Sequence, residues 1–581
     1  RLAAGGRVVQ GEFHPAGIGQ EWCDATVLRR LRRRSLAALR HELEPVPPAA
    51  LAQFLPQWQH IGKGHTLRGT DGLVRAIEQL QGASVPASAL EKLVLPSRVA
   101  DYKPSMLDEL TAAGEVVWAG AGSLPGKDGW VSLYLADTAP LLLPPPHPLE
   151  LSPLHQSVLD TLSGGYGLFF RQIADQVRAT THPEASDAHL ADALWDLAWS
   201  GRLTNDTLAP MRALLGSGRT AGATAHRAKR NVPRGRYGSL TAAARATSRS
   251  GPPTVGGRWS LLPVPEPDAT VRAHARARAL LDRHGVVTRG AVGAEGVEGG
   301  FSAVYRVLSV FEESGQARRG YVVEGLGAAQ FAMDGAVDRL RAVSNARDRG
   351  ERVMPVPVPA GNGALPPFPG DGHAASDAFD PSPGGFGHPS IDGDFAWPPR
   401  GGDDGGLPRP FGPAAIPDPY ASPGQGGPRG GSGYGSLASR SYGPRTRDTA
   451  PDSKAVVLAA ADPANAYGAA LPWPEPPTGA GHKPGRKAGS LVILVEGELT
   501  LYMERGGKTL LAWPTDPDSA AADDPRLRAA AEALAAAARA GSLGTVTVER
   551  INGTAALTSP LGPLLEGTGF IATPRGLRLR A

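Results

Sequence analysis

Cys23 is the only cysteine in the sequence. A lone thiol excludes an intrachain disulfide and any zinc cluster built from several cysteines, and it points to an intracellular protein. No run of 18 apolar residues occurs, so no segment reads as a membrane span. Lysine is scarce: of the 60 basic residues 9 are Lys and 51 are Arg, a bias that either serves phosphate recognition or reflects codon composition. An initiator methionine is missing, because the first residue is Arg1, and the chain is therefore expected to be a piece of a longer protein. His14, His41, His60 and His65 show no helical pairing, which argues against a metal site. Neither a Ser-His-Asp arrangement nor a glycine-rich dinucleotide signature after a strand is recognisable, so no independent catalytic constellation is expected.

Glycine and proline, by contrast, are abundant, at 75 and 55 of 581 residues. A chain of this length exceeds one hydrophobic core, so several domains separated by disordered stretches are expected. The formal charge of +4 and a pI of about 9.1 are a weak argument for a polyanionic partner unless the charge is clustered.

Three segments share one spacing: Leu107, Leu110, Gly114; Leu194, Leu197, Gly201; Leu308, Phe311, Gly315. An apolar pair three residues apart lies on one helix face, and a glycine four residues on can take the left-handed conformation that ends a helix. Helical material precedes each copy and strand-like sequence follows, which is the order of a winged helix. The units are placed at about 80–135, 150–208 and 270–335. Residues 207–265 hold ten Arg or Lys and no acid, so 209–265 reads as a basic flexible linker. In 351–450, 40 of 100 residues are Gly or Pro, which reads as a disordered insert. Beyond it, "SLVILVEGELTLYMERGGKTLLAW" predicts a β-meander with turns at Glu496-Gly497 and Gly506-Gly507. An Ala-rich helix and a hairpin turning at Asn552-Gly553 follow, and a small β-barrel is the simplest closure. The fold expected is thus α+β and multidomain. It comprises a first domain over 1–145, winged helices at 150–208 and 266–345, and a barrel with its helix over 455–581, joined by long disordered linkers.

Gly507-Lys508-Thr509 invites a phosphate-binding loop, but that motif needs glycine at position 502, which is Tyr502, and a helix after it, where "LLAWP" is a strand. A hairpin turn is expected, and no ATP site. The stretch "GIGQEWCDATVLRRLRRRSLAALRHELEPV" carries more. Leu28, Leu31, Leu36 and Leu39 form a helical apolar stripe, Asp24 is placed as N-cap, and Arg29, Arg30, Arg32, Arg33, Arg34 and Arg40 cover much of the remainder. Such a helix either tracks a phosphate backbone or is a solvated basic face. Trp22, just before it, either stacks on a base or packs into the core. Further candidates for nucleic-acid contact are Arg227, Lys229 and Arg230 in the basic linker, Tyr305 and Arg306 on the third recognition helix, and Lys508.

The words "GEFHPAGIGQEWCDATVLRRLRRRSLAALRHELEPV", "FLPQWQHIG", "ALWDLAWSGRLTNDTLAP", "GVVTRGAVGAEGVEGGFSAVYRVLSVFEESG" and "ADPANAYGAALPWP" closely resemble the region after the motor in bacterial large helicase-related (Lhr) proteins of helicase superfamily 2. The resemblance implies a cytoplasmic, nucleoid-associated DNA-repair helicase that moves 3′-to-5′ on single-stranded DNA and opens duplexes or RNA:DNA hybrids. ATP and Mg would bind in RecA-like domains preceding Arg1, leaving no cofactor for this chain, and Trp22 would match the family's contact to the tracking strand. The later residues resemble an extension similar to bacterial DNA glycosylases, associated in some members with uracil excision by means of a carboxylate. No residue matches that acid by motif, and Asp462, in "ADPANAYG", is the candidate. A purely structural role, with the tandem units as a homo-oligomerisation scaffold, stays open.

Overall fold

The computed structural model describes residues 7–13, 19–41, 44–62, 64–220, 251–349, 455–516 and 523–580, with the side chains of 32–33, 36–41 and 217–220 left aside. The expected insert at 351–450, and Arg227, Lys229 and Arg230, lie outside the described residues.

The repeated spacing folds into the same helix stop three times. Helices Pro104–Ala113, Asp187–Trp199 and Gly300–Ser314 run into Gly114, Gly201 and Gly315, whose φ angles are 78°, 76° and 81°. In each, the amide after the glycine donates to the carbonyl of the second apolar anchor: Glu115 to Leu110 at 3.0 Å, Arg202 to Leu197 at 3.0 Å, Gln316 to Phe311 at 2.8 Å. This is the bond that satisfies a helix's last carbonyls while reversing the chain. A strand starts two residues past each glycine, at Val116, Leu203 and Ala317, and all six apolar anchors are buried.

Around each stop stands a three-stranded sheet. In the first unit Asp128–Leu135 lies between Val85–Pro86 and Val116–Leu124. In the third, Gln330–Met333 lies between Ala317–Gly320 and Val286–Val287. The second unit corrects a sequence boundary: its middle strand is Arg258–Leu261, paired with both Leu168–Phe169 and Leu203–Asn205. The unit therefore does not end at 208. A helix, Ala209–Thr220, occupies the start of the stretch expected to be linker, and Val255 and Trp259 near its end are fully buried. Two apolar anchors among small and basic residues are too few to shift the composition, yet they suffice to complete a core.

The C-terminal domain departs from the expected barrel. Its six-stranded sheet runs in the order Ala455–Ala459, Leu491–Val495, Glu498–Met503, Thr509–Ala512, Arg550–Ile551, Thr554–Ala555, and its first and last strands are not paired with each other. It is an open sheet. Ile493, Leu501, Met503 and Leu510 pack on the Ala-rich helix Pro525–Arg539, while Val492, Leu494, Tyr502 and Leu511 are buried on the other face against Ile61 and Leu458. A sheet covered on both faces needs no closure to hide its apolar residues. The expected turns are present: Glu496 and Gly497 have φ of 51° and 82°, Asn552 and Gly553 48° and 84°.

The units share cores. Trp118 of the first stacks on Trp195 of the second at 6.4 Å, with Trp259 edge-on to both. The helix Asp187–Trp199 lies so close to the first unit's sheet that a Cβ on Gly120 would sit 2.1 Å from the Ala198 carbonyl oxygen. Gly120→Ala should therefore destabilise the protein by about 1–3 kcal/mol through overpacking. Gly293→Ala, whose Cβ would meet nothing within 4 Å, should be neutral or better. Thermal unfolding of both variants checks this, and equal midpoints would refute the close approach.

Candidate nucleic-acid interface

The N-terminal segment begins as a hairpin, Val8–Gly11 paired with Glu21–Asp24, with Trp22 opposite Gln10. Trp22 thus sits on a strand, and 55% of it is exposed. Asp24 caps the following helix, Ala25–His41, accepting from the amides of Thr26 at 2.7 Å and Val27 at 3.2 Å, and these bonds hold its carboxyl below the ordinary value. Arg29, Arg30 and Arg34 are exposed, and Arg32 and Arg33 lie on the same helix. Of the expected apolar stripe, Leu28 is half-buried but Leu31 is 52% exposed, and beside it much of Val27 is exposed too.

Chain pairing decides where this helix lies. The Val46 amide donates to Val322 O at 2.9 Å and the Glu324 amide to Val46 O at 3.0 Å, so the residues just past the helix add to the wing of the third unit. The helix consequently runs beside strand Ala317–Gly320, whose Arg318 is exposed. Among the three recognition helices, the outward rows of the first two are acidic, with Glu109 in one and Asp192 and Asp196 in the other. Those rows repel phosphate. The third turns Ser302, Arg306 and Val310 outward, with Glu313 at its end, and its unit's strand Ala317–Gly320 is what adjoins the Arg helix.

Tyr305 is half-buried, edge-on to Phe331 at 5.4 Å, and its hydroxyl accepts from Arg319 Nη1, so its ring belongs to the unit's core. Lys508 sits in the Gly506-Gly507 turn with Nζ 3.3 Å from Glu549, and strand Thr509–Ala512 follows, so the Gly-Lys-Thr opens a strand and not a helix. Trp22 leads into the Arg helix, which runs beside strand Ala317–Gly320 of the unit that carries Arg306; Lys508 lies on the C-terminal domain.

Asp462 is corrected outright. It is buried, both carboxylate oxygens are held by Arg98 at 2.7 and 3.0 Å, and Oδ1 also accepts from the Ala464 amide. A carboxylate so enclosed and paired cannot position water at a nucleotide. It is one end of a polar chain that sequence reasoning missed. Arg98 also donates to Gln59 Oε1 at 2.6 Å, and Gln59 Nε2 donates to Arg283 O at 3.1 Å. Arg283 grips Glu295 through two 2.8 Å bonds, and His284 Nε2 reaches the same carboxylate at 2.6 Å. Arg486 in turn donates to the carbonyls of Ala461, Asp462 and Asn465. A signal did exist: Arg98 continues the i, i+4 stripe of buried Leu90 and Val94, and a charged residue on such a stripe requires a buried partner.

Two models described as "Large helicase-related protein, winged-helix domain" match residues 46–136 and 266–352, the first and third units with their flanking helices. A protein of Mycolicibacterium smegmatis named "Lhr helicase/ probable uracil glycosylase" is 43% identical over the whole chain, and one of Escherichia coli named "Lhr helicase/uracil glycosylase" is 30% identical over 96% of it. The chain belongs to the large helicase-related family. It spans 31% and 30% of the length of those two relatives. In this family member the resemblance word "ADPANAYG" is a buried turn that fixes one domain on another.

Burial alone would raise the Glu295 carboxyl, but the Arg283 guanidinium and His284 outweigh it and hold it down at about 2. A depressed carboxyl stabilises the fold above the unfolded value near 4.5, and that contribution is lost as pH falls through the folded value. Thermal midpoints of the wild type should drop between about pH 4.5 and 2, and those of Glu295→Gln, lower at neutral pH, should drop less over that interval. Parallel curves would refute the ionised pair.

Proposed function

We propose that this chain is the nucleic-acid-binding part of an ATP-dependent DNA helicase acting in DNA repair at the nucleoid, and that it grips single-stranded DNA behind a motor. The observation that carries the reading is the exposed Trp22 beside an outward-facing arginine helix docked on the wing of a winged helix. Arginines neutralise phosphates while an aromatic ring stacks on a base, a combination suited to single strands of any sequence. Hydrolysis of ATP, with Mg, belongs in this reading to RecA-like domains outside the chain. The hairpin at Gly506-Gly507 offers no cradle for phosphates. No helix among the described residues is long and apolar enough to cross a membrane.

The names of the two relatives favour a second reading, excision of uracil from DNA. Asp462 is not its acid. Strand breaks after incubation of the chain with uracil-containing DNA and then alkali would support it, and intact DNA at high protein excess would refute it.

For the first reading, affinity for single-stranded DNA should fall linearly in log-log form with salt. Trp22→Ala should cost about 1–3 kcal/mol of binding. Replacing Arg29, Arg30 and Arg34 by Ala should flatten the slope by about 0.7 for each phosphate that is no longer neutralised. Fluorescence anisotropy at several salt concentrations measures both, and a flat salt dependence with unchanged Trp22→Ala affinity would overturn the reading.

A further inference from the structure

The second unit's recognition helix is taken up by the first unit, but one edge of its own sheet is not. The strands run in the order Leu168–Phe169, Arg258–Leu261, Leu203–Asn205. Leu203–Asn205 is the one joined to the first unit: Trp118 Nε1 donates to Asn205 O at 3.0 Å and Thr204 Oγ1 to Trp118 O at 2.8 Å. Leu168–Phe169 is therefore the far edge. Two aromatic rings stand exposed there, Tyr166 at 77% and Phe169 at 55%. The next residue, Phe170, shows what the core does with an aromatic it uses: it is fully buried. Single exposed apolar side chains are ordinary on a surface, but two rings on one short stretch are not scattered.

The backbone keeps these rings bare. Tyr166 is bracketed by Gly164, Gly165 and Gly167, so its chain neighbours carry no side chain to cover it, and Gly165 makes the turn with φ of 78°. Phe169 is paired with Arg258 across the strands, and Gly167 lies against the same arginine, where a Cβ would meet Arg258 Cβ at 3.3 Å. Arg258 thus borders the stretch that carries both rings. Asp206 holds its Nε at 2.6 Å, and its Nη groups have no partner among the described residues.

Area and charge choose the occupant. The exposed parts of the two rings amount to on the order of 300 Å², against about 800 Å² that each partner buries in a standard protein interface. Residues 221–250 contain seven Arg or Lys and no Asp or Glu. The described chain resumes at Gly251, whose backbone lies on the ring of Phe170, so this basic stretch is tethered next to Phe169. Bare rings beside cationic groups stack the bases of a single strand whatever its sequence, whereas in a duplex the base faces already cover one another.

We propose that Tyr166 and Phe169 form a second base-stacking platform for single-stranded DNA, with Arg258 placed for a backbone phosphate, separate from Trp22 and its arginine helix. The inference rests on the nucleic-acid reading above and adds a site to it.

The test titrates the full chain with fluorescein-labelled oligo(dT), and with a duplex of the same length as control, read by anisotropy. Tyr166→Ala and Phe169→Ala should each weaken single-strand binding about 5- to 150-fold, the scale of one stacked base. The loss should recur in a Trp22→Ala background, since the two platforms are separate. Tyr166→Phe keeps the ring and should bind as wild type. Duplex affinity, thermal midpoints and sedimentation coefficients should stay unchanged. Wild-type affinity in both alanine variants, or a loss matched on the duplex, overturns the proposal and leaves the Trp22 interface standing. A changed sedimentation coefficient overturns it as well, by making the rings a contact between protein copies. Absence of wild-type binding to oligo(dT) would instead refute the nucleic-acid reading on which it rests.

Discussion

The bidentate pair between Arg98 and Asp462 is the constraint on which the assembly turns. Both side chains are almost wholly removed from water, 0% and 1% exposed, and they come from residues 364 positions apart. Taking two charges out of water is expensive, and the cost is recovered only when the geometry is good and the remaining donors are satisfied. Here Arg98 also reaches Val94 O and Gln59, leaving only its buried Nε without a partner, and Asp462 caps a turn, so the two charges meet only when the first unit and the C-terminal domain are docked in one orientation. Apolar surfaces would have stuck these domains together in many ways; a planar guanidinium facing a carboxylate allows few. Gln59 then donates to the main-chain carbonyl of Arg283, whose side chain holds Glu295, so the third unit is tied to the same polar network.

Local rules were the legible ones. The glycine that ends each recognition helix, the N-cap at Asp24 and the turns at Glu496-Gly497 and Asn552-Gly553 all depend on residues within a few positions of one another, and each stands where its sequence pattern implied. Gly-Lys-Thr could be dismissed for the same reason, since a strand rather than a helix had to follow it. What escaped depends on distant partners. Asp462 reads as an acid in a loop with small neighbours, the profile of a catalytic group, and only Arg98 shows it to be structural. The barrel was inferred from strand count and alternation, but both faces of its meander are covered by other parts of the chain, which no local pattern reports. The middle strand Arg258–Leu261 was hidden behind a basic stretch whose composition outweighed Val255 and Trp259.

The three winged-helix units share a backbone device and differ in what their surfaces do. In the second unit, Leu190, Leu194, Leu197 and Trp199 are buried on a helix that in isolation would be free to enter a groove, and Gly120 and Gly129 of the first unit lack side chains where that helix comes closest. A recognition helix pressed onto a neighbouring sheet cannot also lie in DNA. The first unit's helix keeps an open side, but Asp108 on it is committed to Arg212 and Thr207, and Glu109 faces outward.

The third unit, on which the proposed interface rests, has a different environment. Its wing is extended by the main chain at Val46, which draws the arginine helix alongside, so positive charge is supplied by a separate segment rather than by the unit's own sequence. Tyr305, which the sequence offered as a contact, is needed instead to support Phe331 and to accept from Arg319, and the outward row falls to Arg306 and Val310, with Glu313 at its end. Repetition preserves the helix stop because the stop is a backbone requirement. Binding capacity is not preserved with it, because it depends on charge and exposure, and these are set by whichever segment happens to pack next to each copy.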